Sequence, residues 1–295
     1  MKKDEHTTYK QDNVIIQVGC ITVACAIVTF LRAKKVKIKI SKKHIIIAIV
    51  IWIIICTVWI FATKLQPRAD QSKILDAAIQ MKNGDFSTFK TGGYLYKNPH
   101  QLGLLLYFYL FELIFNNNAY IALQIMNILA ILVAYYSIFR IVEYMYKNKN
   151  VSKLTIVGLF LFIPISMYIT FIYGNLLGFA LSMLALLFEF KYLEDEKNKD
   201  IIFMAIFISI AILFKSNYMI TMIAMIILLI MEAIFKKKCK LIIPIVAIVI
   251  CYLLSGITTK QVIKLISKEE VNKGTPMTSY VAMGLQEGEM APRMV

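Results

Sequence analysis

The chain is dominated by uninterrupted apolar runs of nearly bilayer length, and these limit it to very few folds. They fall at 14–31, 44–62, 119–139, 154–172, 174–191, 201–215, 217–235 and 241–256. A hydrocarbon core about 30 Å thick needs a helix of about 20 apolar residues. Backbone groups have no water to bond inside lipid, so the spanning segments must be helices or a closed barrel. A barrel needs short strands of alternating polarity, and these runs do not alternate. The sequence therefore predicts an all-α, polytopic transmembrane bundle of about eight spans. A ninth run, Gly103–Phe115, has 13 residues. It would reach about 20 Å at about 1.5 Å per residue, which is half-length or interfacial.

Charge orients the bundle. The net charge is +15, but the lysines cluster between spans, where they act as topology signals and contacts to anionic membrane lipids. No basic module of a nucleic-acid-binding type fits between the spans, so no nucleic-acid partner is expected. Seven of the twelve residues in Arg32–Lys43 are basic, as are four of the five in Lys236–Lys240. Both predict cytoplasmic loops, with the basic Lys147–Lys153 and the mixed Glu194–Asp200 beside them. All four fall on one side if Gly103–Phe115 does not cross. The other side then receives the outer loop 63–118, the turns at Tyr173–Asn175 and Lys215–Asn217, and the tail 257–295. This gives three regions: 1–43 as an extra span with a basic loop, 44–256 as the main transmembrane module, and 257–295 as an extracytoplasmic tail.

The five cysteines form no disulfide or metal pattern, and the three histidines are scattered. Glu189, Lys215 and Glu232 sit near span ends, where long side chains snorkel to the interface. No ionisable residue falls at mid-span, which counts against an ion-coupled transporter.

Polar groups gather in the outer loop instead. In Gln66-Pro67-Arg68-Ala69-Asp70-Gln71, a carboxylate beside a cation could accept a proton while the cation holds a phosphate. Equally, Asp70 is placed to cap the helix predicted from the spacing of Ile74, Ala77, Ala78 and Met81, an amphipathic helix resting on the membrane surface. Asn98-Pro99-His100-Gln101 is either a sugar-receiving rim or a turn opening a helix. Tyr173-Gly174-Asn175 is a hairpin between spans. Lys215 is a second candidate cation for phosphate.

With these residues, the chain resembles the GT-C membrane glycosyltransferases, and within them the family 39-like group of protein mannosyltransferases and aminoarabinose transferases. Pro67-Arg68-Ala69-Asp70-Gln71 resembles the family's proline followed by Asp-Gln or Asp-Glu. Tyr96-Lys97-Asn98-Pro99-His100-Gln101 resembles its Tyr-Pro-Asn-Asn-Pro-Gly stretch. Tyr280–Gly288 is similar to a tract in Gram-positive members.

The resemblance implies an inverting transferase that moves a sugar from a polyprenyl-phosphate donor to an extracytoplasmic glycan, lipid or protein acceptor. Asp70 would be the catalytic base. Arg68, Gln71, Asn98, His100, Gln101, Tyr173, Asn175 and Lys215 would bind substrate. Many such enzymes bind a divalent metal, though no residue pattern here points to one. Family members are usually longer, which implies a missing C-terminal part and bears on activity of this chain alone. The alternative reading is a non-catalytic subunit or permease of cell-surface polymer assembly.

Overall fold

The computed structural model describes residues 13–33, 41–276 and 278–279. Among them there are helices and turns and no strand. The chain divides into two compact units, Met1–Ser41 and Lys42–Val295. The first contains α1 (Val14–Ala33). There the Asn13 carboxamide oxygen accepts from the Ile15 and Ile16 amides at 3.1 and 3.3 Å, covering two donors that a helix start leaves open.

The second unit holds α2 (Lys42–Thr63), α3 (Ala69–Lys82), α4 (Tyr94–Lys97), α5 (Leu102–Phe115), α6 (Ala119–Tyr146) and α7 (Lys149–Leu161). It continues with α8 (Ile163–Met167), α9 (Asn175–Asp195), α10 (Asn198–Phe214), α11 (Met219–Lys236) and α12 (Ile242–Ser267). Each of the eight apolar runs carries a helix. By length and apolarity, five stretches can cross a membrane: Lys42–Thr63, Pro99–Tyr146, Asn175–Asp195, Ser216–Lys236 and Cys239–Ser267. Lys149–Leu161 with Ile163–Thr170 makes a sixth, bent by 52°. Pro164 explains the bend. It cannot donate a backbone bond, and Phe162 at its entry has left helical geometry at φ −78°, ψ 78°. α10, with 17 residues, falls just short of spanning length. The chain is a multi-pass integral membrane protein.

The run Pro99–Tyr146 is not one straight rod. Asn116, at φ 55°, ψ −131°, breaks it between α5 and α6. The start of α5 meets the α8–α9 hairpin through Gln101, whose amide nitrogen lies 2.5 Å from the Tyr173 hydroxyl. The start of α6 meets the same hairpin, with the Tyr120 hydroxyl donating to the Thr170 carbonyl at 3.4 Å. The starts of α5 and α6 thus meet the same hairpin, although the 14 residues of α5 lie between them.

The amphipathic helix expected over 74–81 forms as α3, and its apolar face is packed against protein. Ile74, Ala77, Ala78 and Met81 are buried in one cluster with Leu105 and Phe108 of α5. α5 is apolar almost all round, and α3 covers one face of it. Glu189 also departs from expectation. It is fully buried, and neither carboxylate oxygen has a hydrogen-bond partner. It cannot snorkel because α9 is packed between α6 and α10. α12 runs past Gly256 to Ser267.

At the other end of the bundle, exposed ion pairs join the basic loops. Lys147 meets Glu194 at 3.4 Å, and Lys238 meets Glu196. Residues 34–40 of the first basic loop, and the tract Tyr280–Gly288, lie outside the described residues.

Candidate active site

The polar end is built where α2 hands over to α3. Arg68 is extended at φ −126°, ψ 156° and is the residue before the helix, with no side-chain cap. Ala69 follows at φ 48°, a conformation that costs a non-glycine residue about 1–3 kcal/mol. The helix therefore starts two residues earlier than a cap at Asp70 would require. Asp70 lies in the first turn, where the helix dipole favours a carboxylate. It is not an N-cap, and its Oδ2 instead accepts from the Tyr173 hydroxyl at 3.2 Å.

Tyr173 is held by the hairpin. Gly174 turns the chain at φ 77°, and a Cβ there would lie 2.5 Å from the Phe214 carbonyl oxygen. That close approach brings the end of α10 alongside, placing Lys215 Nζ 3.5 Å above the centre of the Tyr173 ring. Gln101, 4% exposed, donates to the same Tyr173 hydroxyl and lies 3.1 Å from His100 Nε2. One connected polar array therefore runs through His100, Gln101, Tyr173 and Asp70, with Lys215 on the Tyr173 ring face.

Burial lowers the Lys215 pKa below its ordinary 10.5, and the Asp70 charge opposes that shift. Tyr94 belongs to the array too, although its sequence carried no charge to single it out. Burial, then Tyr173 and the Asp70 carboxylate, push its phenol up. It stays a protonated donor beside Asp70. Its neighbours Tyr96 to Gln101 drew attention in the sequence, and an aromatic hydroxyl next to them was the available signal.

Arg68 and Gln71 face a different space. With Leu65, Gln66, Tyr120, Thr170 and Phe171 they line a cleft of about 340 Å³ beside the hairpin. The Gln71 carboxamide oxygen accepts from the Ile172 amide at 3.1 Å, which pins α3 to that hairpin. Between α2 and α8 runs an apolar groove of about 310 Å³, lined by Ile55, Val58, Trp59, Ala62, Ile163 and Met167. Ala62 at its end leads along the chain to Leu65 of the polar cleft.

Two expected binders have local roles. Asn98 donates to the Tyr94 carbonyl at 3.0 Å, and Asn175 donates to the Tyr168 hydroxyl at 2.7 Å. The Asn175 carboxamide oxygen remains buried without a hydrogen-bond partner. Among the described residues, no group of three or more His, Cys, Asp or Glu could hold a metal ion, so no step is assigned to a metal.

An all-helical, multi-pass bundle is the architecture of the GT-C membrane glycosyltransferases. The family model for dolichyl-phosphate-mannose-protein mannosyltransferase matches residues 102–256, more than half of the chain. The chain belongs to that family. No curated protein and no solved structure shows a significant match to it. The matched stretch contains Tyr173, Asn175 and Lys215, while Arg68 and Asp70 precede it.

Proposed function

We propose that the protein transfers a sugar from a polyprenyl-phosphate donor to a hydroxyl of an extracytoplasmic acceptor, a cell-surface glycan, lipid or protein, with inversion at the anomeric carbon. One observation carries this reading. Arg68 lines a cleft with Gln71, Tyr120 and Thr170, while Asp70, two residues on, accepts from Tyr173 in the hydroxyl array. An inverting displacement needs a cation for the leaving phosphate on one face of the sugar and a base on the other, and these two residues can supply them.

In this mechanism the isoprenoid chain lies in the α2–α8 groove and its phosphate sits against Arg68. Asp70 takes the proton of the acceptor hydroxyl as its oxygen bonds to the anomeric carbon. The bond from that carbon to the phosphate oxygen breaks, and the electron pair leaves on polyprenyl phosphate. Arg68 stabilises the charge that builds there. Tyr173 and Tyr94 orient the Asp70 carboxylate through their hydroxyls. Lys215 faces the same side and favours the ionised base, while His100 and Gln101 orient the acceptor.

The test is turnover by the purified full chain in lipid, with a radiolabelled polyprenyl-phosphate sugar and a cell-envelope acceptor fraction. Transfer is expected, and Arg68→Ala should raise the donor KM more than it lowers kcat. Failure of the chain to consume the lipid-linked donor, or an unchanged donor KM in Arg68→Ala, would contradict the reading.

A further inference from the structure

The segment that follows α12 lies across the loop that carries half of the array. The Thr275 amide donates to the Lys97 carbonyl at 3.0 Å, and the Asn272 side chain donates to the Tyr96 carbonyl at 3.3 Å. Glu269 lies 3.7 Å from Lys90. Ile263 is fully buried in the same cluster as Leu102 and Phe108, with Ile266 and Val271 packed against it. Gly274 is at φ +79°, where side chains are rare, and a Cβ there would overlap the Pro99 ring at Cδ and Cγ and lie 3.0 Å from the Lys97 carbonyl oxygen. Pro99 is bonded to His100, and Gln101 follows it into contact with Tyr173.

We propose that Lys268–Pro276 is a brace that positions His100 and Gln101 for the reaction, with Gly274 as the positioning residue that sets its fit against Pro99. This rests on the transferase reading of the array. The brace works because Pro99 is rigid. Its ring fixes φ, so a push at Cδ moves the peptide into His100 instead of being absorbed by a side-chain rotation. The hydrogen bonds to Tyr96 and Lys97 hold the loop on the same side. Gly274 touches neither Asp70 nor Tyr173 and acts only through the loop.

The test uses the full chain and two readouts. Gly274→Asn adds a Cβ while keeping a residue that tolerates positive φ better than most. It should lower kcat for transfer by about 10²-fold, the cost of a displacement of about 1 Å in a reacting array. It should also speed modification of His100 by diethyl pyrocarbonate, read peptide by peptide with exposed His44 as the internal control. Adding Pro99→Ala removes the overlapping ring atoms and should restore most of both readouts, which a general loss of stability would not allow.

Wild-type labelling of His100 in Gly274→Asn, or no recovery in the double variant, would overturn the brace. If Gly274→Asn does not accumulate, Asn272→Ala removes one donor to the loop and must itself speed His100 labelling, or the proposal fails. A wild-type chain that transfers no sugar refutes the transferase reading and leaves the labelling arm to decide the brace.

Discussion

The two ends of the bundle are held together by different physics. At the basic end, the contacts between loops are exposed ion pairs, Lys147 with Glu194 and Lys238 with Glu196. At the Asp70 end, half-buried hydrogen bonds join segments far apart in sequence: the Ile172 amide to Gln71, the Tyr173 hydroxyl to Asp70, Gln101 to Tyr173, and Asn272 to Tyr96. Exposed pairs contribute little and fade with salt. A buried donor or acceptor that loses its partner costs more than the bond itself is worth. One end is therefore tolerant and the other over-determined, as expected where reacting groups must be held still.

Substitutions can break that contrast. Asp70→Asn should have the largest effect, lowering transfer by about 10²–10⁴-fold, the range for loss of a general base. Asn keeps an oxygen that can accept from Tyr173, so melting temperature should hold. Near wild-type transfer would reduce Asp70 to a structural residue. Tyr173→Phe should follow. A hydrogen bond to a charged group is worth about 1.5–3 kcal/mol, or about ten- to a hundredfold in rate, so kcat should fall by that factor with the donor KM unchanged.

Lys215→Arg tests the electrostatics. Burial lowers the Lys215 pKa, so its cation is lost at a lower pH than that of an ordinary lysine. If Lys215 acts as a cation, the alkaline limb of the pH–rate profile should move to higher pH in Lys215→Arg, because arginine stays charged. An unmoved limb would remove Lys215 from the account. The smallest effect belongs to the basic end. Lys147→Ala should change neither transfer nor melting temperature, and a loss of activity there would erase the distinction between the ends.

Most of the helices were legible in the sequence, because a bilayer demands long apolar runs and the chain supplies them. The half-length reading of Gly103–Phe115 came from the same length argument, and α5 is a separate helix of 14 residues broken from α6 at Asn116. Packing was not legible. The spacing of Ile74, Ala77, Ala78 and Met81 gave α3 an apolar face, but nothing local said that α5 would cover it. Glu189 near a span end read as an interfacial charge, and only the neighbours of α9 bury it. Asp70 stood out by composition, yet its expected cap role depended on a helix start that the structure places two residues earlier, at Ala69. Tyr94 was missed because an aromatic hydroxyl has no charge to mark it and its partners come from distant segments. Arg68 and Lys215 read alike as phosphate-binding cations, and only the fold puts Lys215 on the Tyr173 ring and Arg68 in the cleft lining.

The most direct test of the central claim, that the Asp70 end is the external reacting face and the basic end its cytoplasmic opposite, is single-cysteine labelling in intact cells. Lys90→Cys and Lys237→Cys, each in a background lacking the five native cysteines, would be exposed to a membrane-impermeant thiol reagent before and after lysis. Position 90, beside the brace at Glu269, should label in intact cells. Position 237, in the basic loop after α11, should label only after lysis. Labelling of position 237 in intact cells, with position 90 protected, would contradict the account.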